Sequence, residues 1–251
     1  MRYIVLFLIF VSQIIASVVN APLKSVDELN NIATIEINKI DVGISGFIIH
    51  KIADGHEVIL KSVTVTSFDK KNSIASLEMS DFDGLKNNSL PSGKWSVEVG
   101  DKVVLAFGYF RALLIAPNEE IYHQITKAVK VQWIHPDLFA TILSLEGHPS
   151  PTKNDFVKMS TTTSVGLVYF YLNQKLYTVD AKSFKILSIS KAPLTQNSLE
   201  LPFYTRLEKI NTNWWNFGEG SSEMDNYESY YYSLLLKFNP NNQQLISEMS
   251  K

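Results

Sequence analysis

Residues 111–156 read RALLIAPNEEIYHQITKAVKVQWIHPDLFATILSLEGHPSPTKNDF, and this stretch decides the fold class. Ala112 to Ala116 is short and wholly apolar, the pattern of a buried strand. Pro117 and Asn118 stop it. Asn118 is placed to cap a following helix, and Glu119 and Glu120 set negative charge on that helix's positive end. The helix is expected to finish near Ala128, ahead of a strand at Val131 to Ile134. Pro136 suits the first position of a second helix, with Asp137 just inside it. Leu138, Phe139, Ile142 and Leu145 recur at helical spacing, and Gly147 can end that helix in a left-handed turn. Thr152-Lys153-Asn154-Asp155 reads as a capping box with Asp in place of Glu, opening a third, shorter helix.

Working outward, Val165 to Leu172, Lys175 to Asp180 and Phe184 to Ile189 are three strand-like runs joined by Asn173-Gln174 and Ala181-Lys182-Ser183, a meander. Upstream, Ile32 to Leu105 is a β pattern. Ile35, Ile37, Val42, Phe47 and Ile49 alternate with polar or small residues, Val58 to Leu60 and Val63 to Thr66 are β-branched, and Asp54-Gly55 marks a turn. Ser73 to Met79 alternates, Asp83 to Pro91 reads as a loop, and Val97 to Leu105 reads as strand, Gly100-Asp101 turn, strand. The expected fold is therefore α+β: an N-terminal curled antiparallel β-sheet or barrel, then a small mixed α/β unit. The expected divisions are a signal peptide at 1–21, a β-rich domain at 22–108, an α/β domain at 109–195 and an irregular C-terminal segment at 196–251. That last segment is expected to hold one or two strands, at Phe203 to Ile210 and Tyr230 to Phe238, and to end in loose polar residues.

A chain of 251 residues has room for an ample core. It contains no cysteine, which excludes disulfides, thiolate metal sites and cysteine nucleophiles. The formal net charge of −2 lacks the basic excess of a nucleic-acid protein, so no nucleic-acid partner is expected. Met1-Arg2 followed by the largely apolar Tyr3 to Val19 reads as an export signal, and Val19-Asn20-Ala21 offers small residues for cleavage. Pro22 would hinder that cut, so a cut near Ala16 or Ser17 is a second option; the alternative to cleavage is an uncleaved anchor. Export to the periplasm, the outer surface or the medium is the expectation, with membrane contact only through this N-terminal segment.

Candidate chemistry is sparse. His50 and His56 flank the Asp54-Gly55 turn, which makes a metal pair conceivable, but no third ligand stands at a motif spacing. His123 falls on a helix, and His135 and His148 fall at helix boundaries, where imidazole commonly caps the backbone. Gly43-Ile44-Ser45-Gly46 resembles a nucleophile elbow only loosely and reads better as a flexible strand edge. Trp214-Trp215 and Tyr230-Tyr231-Tyr232 are read as core packing rather than a platform, since neighbours on a strand point to opposite faces. No phosphate loop or dinucleotide fingerprint occurs. The expectation is a protein that is not an enzyme and needs no metal or cofactor.

The blocks RALLIAPN, WIHPDLFA, EGHPSPTKNDF, VGLVYF, LYTVDAKSFKIL and LPFYTRLEKI, with the earlier GISGFIIHKIADGHEVIL, resemble the N-terminal domain of the bacterial plasminogen-binding protein family, from about Gly43 to Ile210. The resemblance implies an exported surface protein of Gram-negative bacteria that captures host plasminogen, a virulence trait. Plasminogen kringles hold a lysine between an anionic and a cationic end of an aromatic trough. Lys251, last in the sequence, is the first candidate ligand, with Lys237 and Lys209 as weaker substitutes that lack a neighbouring carboxylate. The resemblance implies that plasminogen-binding members continue into a charged, lysine-rich C-terminal region, whereas this sequence stops soon after the domain. The alternative is therefore a structural or assembly factor of the envelope, acting on a protein or glycan with no plasminogen role.

Overall fold

The computed structural model describes residues 18–82, 84, 95–207, 210 and 220–249. Six antiparallel strands close into a barrel: β1 (Val19–Asp27), β2 (Ile32–Glu36), β3 (Ser45–Ala53), β4 (His56–Asp69), β5 (Ile74–Asp81) and β6 (Lys102–Leu105). Their order around the barrel is β1-β2-β5-β4-β3-β6, and β6 pairs with β1 to seal it. Side chains alternate in and out along each strand. The inward set, which includes Leu23, Ile35, Ile48, Val65, Leu77 and Val103, is almost fully buried.

Short turns and slips in register make closure possible. Gly55 at the β3–β4 turn has φ +76°, as the Asp54-Gly55 signal predicts. At the β4–β5 turn Asp69 accepts from the backbone N–H groups of Lys71 and Asn72, fixing the reversal. The pairing shifts between Leu23 and Ser25 on β1 and between Val65 and Ser67 on β4. Such bulges add the local twist that bends a sheet onto itself. Gly46 is required where β3 meets β6: a Cβ there would stand 2.1 Å from the Val104 carbonyl oxygen.

The second sheet runs β11-β10-β9-β7-β8, built from β7 (Arg111–Ile115), β8 (Gln132–Ile134), β9 (Leu167–Leu172), β10 (Lys175–Asp180) and β11 (Ile186–Lys191). β7 is parallel to both β8 and β9, and β9, β10 and β11 form the antiparallel meander. The helices α1 (Glu119–Ala128), α2 (Pro136–Glu146) and α3 (Lys153–Thr163) start where the sequence signals put them. Asn118 Oδ1 accepts from Ile121 N at 2.9 Å, and Gly147 closes α2 at φ +72°. The Asp155 carboxylate accepts from both the backbone N–H and the hydroxyl of Thr152, each at 2.8 Å. The expected α+β fold is the fold observed, and of the curled sheet or barrel expected it holds a closed barrel, beside a mixed sheet.

The sheet separates two cores. Ala112, Leu114, Leu167, Tyr169 and Tyr171 face the barrel and α1, while Leu113, Ile115, Val168, Phe170 and Leu172 face the remaining helices. Strand alternation sends consecutive residues of β7 and β9 to opposite layers, which is why these strands read as unbroken apolar runs. The barrel and the sheet therefore share one hydrophobic core.

The C-terminal expectations need correction. Tyr230 to Phe238 belongs to a helix, α4 (Tyr227–Phe238), and α5 (Gln243–Met249) follows in place of a loose tail. Asn226 Oδ1 caps α4 by accepting from Ser229 N at 2.9 Å. The apolar period is helical: Tyr227, Tyr231, Leu234 and Leu235 are buried, at spacings of four, three and one. Tyrosine's β propensity yields to packing here. Phe203 to Leu207 is irregular, not a strand, with Tyr204 N donating to Ala116 O at 2.8 Å. Val97 to Val99 is not a strand either; Gly100 (φ +98°) instead donates to Leu23 O at 2.9 Å. The expected loop at 83–91, apart from Gly84, lies outside the described residues, as do Trp214 and Trp215.

Candidate functional site

In an open parallel sheet, ligands bind beyond the carboxyl ends of the strands where the strand order reverses. Here that place lies between β7 and β9, because the chain passes from β7 to β8 on one side and returns to β9 on the other. It is filled. The Tyr227 hydroxyl reaches in from α4, 3.1 Å from the Ile115 carbonyl oxygen and 3.2 Å from that of Tyr171. Tyr231 stacks edge-on against it at 4.9 Å and donates to the Pro202 carbonyl. Burial raises both phenol pKa values well above the usual range, so both stay neutral hydrogen-bond donors.

The neighbouring helix starts are equally engaged. Tyr122 of α1 packs against His135 at 5.4 Å and Tyr204 at 5.2 Å. Asp137 accepts from the Thr205 hydroxyl and the Arg206 backbone, and pairs with the Arg206 guanidinium at 2.7 Å. Desolvation lowers the His135 pKa against the opposing pull of Asp137, and its ring accepts from the Asp137 backbone N–H as the expected cap. His123 lies 3.4 Å from Glu119 one turn away, and His148 lies 2.9 Å from Asp155.

The conceivable His50–His56 metal pair does not form. His50 is opposite Val58 and 2.8 Å from Asp101, whereas His56 is opposite Ala53 and 3.2 Å from the Asp54 carbonyl. Among the described residues no group of three or more His, Cys, Asp or Glu side chains is placed to hold a metal ion.

Gly43-Ile44-Ser45-Gly46 also departs from its sequence reading: it is the rigid seam between barrel and sheet, not a flexible edge. Asp180, fully buried at the end of β10, accepts at one oxygen from Ser45 N (2.9 Å), Ser45 Oγ (2.8 Å) and Tyr109 Oη (2.6 Å). Its other oxygen accepts from Lys182 N (2.9 Å) and Ser183 N (2.8 Å), and the Ser183 hydroxyl donates to Gly43 O. Five donors satisfy the carboxylate, so its burial is tolerated. Ser45 is thereby one of several donors that hold a buried carboxylate, which is a structural role. Burial first, and then the Asp180 charge, raise the Tyr109 pKa well above its ordinary value.

An open cleft lies along this seam. Its apolar part, about 620 Å³, is lined by Phe47, Ile49, Ile59 and Phe107 among others; a polar part of about 360 Å³ is lined by Ser62, Thr64, Lys153 and Ser183 among others. Phe82, Thr161 and Lys182 belong to both. The Lys182 ammonium sits 3.9 Å above the Phe47 ring, and burial lowers its pKa to about 8 against the opposing charge of Asp180. No motif in the sequence points to Lys182: it reads as one residue of a turn.

Of the lysines expected to bind a partner, Lys209 and Lys251 lie outside the described residues. Lys237 is exposed in the last turn of α4, its ammonium 5.6 Å from the Phe238 ring centroid. It borders a hollow of about 360 Å³ with Ser150, Ser222 and Tyr230. The Phe238 ring that Lys237 approaches is also approached, at 4.6 Å, by the ammonium of Lys153, which lines the polar part of the seam cleft.

These features define an α+β protein, a closed barrel seated on a mixed sheet, with its open clefts at the edges of the shared core. The chain belongs to the family described as Plasminogen-binding protein pgbA N-terminal, which matches residues 18–235. It is similar to Plasminogen-binding protein PgbA of Helicobacter pylori strain J99 and to the protein of the same name in strain 26695. Each is 28% identical over 219 residues, covering 86% of this chain and 47% of the relative. The chain thus spans about half the length of these curated relatives. No solved structure matches it.

Proposed function

We propose that this chain is an exported surface protein that captures plasminogen through lysine side chains taken up by plasminogen's lysine-binding kringles. The observation that carries the reading is the family match, which runs across both the barrel and the α/β unit. The physical requirement is a cation and an anion held at a fixed separation over an apolar stem. Lys237 offers the stem on a capped helix beside Phe238, so little side-chain freedom remains to be lost on binding. Lys251 and Lys209 stand beside it in the proposal, Lys251 first.

Export through a cleaved signal is part of the same proposal. β1 begins at Val19, and Val19, Asn20 and Ala21 pair with Leu105, Val104 and Val103 of β6. A cut after Ala21 removes three of the four residue pairs of that seam, whereas a cut at Ala16 or Ser17 leaves it whole. Among the described residues no helix is long and apolar enough to cross a membrane.

The test is binding of the purified chain to immobilised plasminogen, with 6-aminohexanoate as competitor. Lys251→Ala, Lys237→Ala and Lys209→Ala are compared singly and together. Competition by the lysine analogue and at least a tenfold loss in the triple variant are expected. Full binding in the presence of the analogue would refute the lysine mechanism, and no binding at all would leave the envelope-scaffold role as the better reading. The mass of the processed N-terminus tests export: a mature chain starting at Ala16 to Val18 is expected, and an intact Met1 defeats it.

A further inference from the structure

We infer that the cleft between barrel and sheet is a binding site for a single-chain amphiphile with an anionic head, the tail lying against Phe47, Ile59 and Phe107 and the head between Lys182 and Lys153. The two parts of the cleft differ as the two ends of such a molecule do. The part of about 620 Å³ is walled by barrel residues Phe47, Ile49, Ile59 and Val104 and closed by Phe107 and Val165. Its size falls within the range of about 300–1,000 Å³ usual for small-molecule sites. Phe107 is 47% exposed although it packs edge-to-face against Phe47 at 5.7 Å, so apolar surface faces the opening. The adjoining part is lined by hydroxyls and amide groups: Ser62, Thr64, Ser80, Asn154 and Ser183.

Charge decides the head. Lys182 stands where the two parts meet, and Lys153 borders the polar part, its ammonium 4.6 Å from the Phe238 ring. Among the described residues neither lysine has a carboxylate at salt-bridge distance. Asp180, the acid whose charge acts on both, is saturated by five donors and faces the seam. Asp81, the acid lining the polar part, is paired with Lys61 at 2.7 Å. Lys185 adds a further positive charge near Lys153, and Lys102 borders the apolar part. The cleft is therefore a desolvated, net-positive junction beside an apolar trough, and an anion recovers the solvation that Lys182 has lost. A cationic head recovers nothing there, and a neutral acceptor recovers less than an anion does.

Isothermal titration of the purified chain with sodium decanesulfonate, a probe whose charge does not change with pH, tests the site. One-to-one binding is expected below the probe's micelle concentration, with decyltrimethylammonium binding at least tenfold more weakly. Decanoate and decyl phosphate, run in parallel, distinguish a fatty carboxylate from a phosphate-headed lipid as the source. Lys182→Met is expected to weaken decanesulfonate at least tenfold and Lys182→Arg to retain it. Ile59→Asp, on a half-buried position of the trough, is expected to weaken all three anions while leaving the circular dichroism unchanged. Affinity should fall as pH rises through about 8 in the parent chain and stay level in Lys182→Arg. Equal binding of anion and cation, binding unchanged in Lys182→Met, or no binding of any anion would overturn the inference. Plasminogen capture is read separately, so either result leaves the other standing.

Discussion

Two places in this molecule have the shape of a ligand site, and the chain treats them in opposite ways. The carboxyl-end crevice between β7 and β9, where the fold class places ligands, is filled by Tyr227, whose hydroxyl stands in for a guest between two strand carbonyls. The seam between barrel and sheet, which no rule of the fold class singles out, stays open around Lys182. The difference lies in what each region buries. At the crevice a neutral phenol satisfies neutral carbonyls at little cost. At the seam the chain has already placed a carboxylate, Asp180, and has matched it with five donors, leaving the adjacent ammonium groups without an acid of their own.

The sharpest way to break this comparison is Asp180→Ala. Removing the carboxylate orphans the donors of Ser45, Tyr109, Lys182 and Ser183. Each orphaned buried donor costs about 1–3 kcal/mol, and relaxation returns part of that, so a loss of about 4 kcal/mol is expected in urea unfolding. A loss under about 1 kcal/mol would mean that the seam does not hold the two parts together. Next in size, Tyr227→Phe removes the hydroxyl and nothing else, and should cost about 1–2 kcal/mol. A neutral result would show that water already serves those carbonyls. Asn226→Ala removes the α4 cap and should cost about 1 kcal/mol, read from the same curves.

The last effect is one of pH. Lys182 titrates near 8 in the folded chain, against about 10.4 when unfolded. Between those values the unfolded chain binds more protons, so this group makes stability rise with pH from about 8 to about 10.4. Lys182→Met should flatten that rise when unfolding is compared at pH 7.5 and pH 10. The charged groups around it, Asp180, Lys153 and Lys185, are retained in the variant. An unchanged slope would place the ammonium in water and weaken the case for the cleft.

Much of this was legible in residues 111–156, because caps and turns act through neighbours in sequence. Asn118, Pro136, Gly147 and Thr152 each mark a boundary that the structure keeps, since the groups they satisfy lie within four residues. Asn173-Gln174 likewise marks the β9–β10 turn, where both residues take positive φ. The misreading of Tyr230 to Phe238 has a different origin. Three consecutive tyrosines favour strand by propensity, and the opposing signal was the spacing from Tyr227 to Leu235, which becomes decisive only once the apolar face of the sheet lies against it. The seam had no local signal at all: Ser45 and Asp180 are 135 residues apart.

From the sequence alone came the helix boundaries between Asn118 and Thr163 and the barrel-then-sheet division of the strands, because hydrophobic period, helix caps and turn residues act over a few neighbouring positions; the family resemblance rested on the ordered sequence blocks themselves. Tertiary structure alone decided that the barrel closes, that Tyr227 fills the strand-end crevice and that Lys182 faces an open cleft. Those outcomes depend on which distant groups come to share a desolvated volume. A buried charge or an unfilled hollow is a property of such a volume, and no short window of sequence contains one.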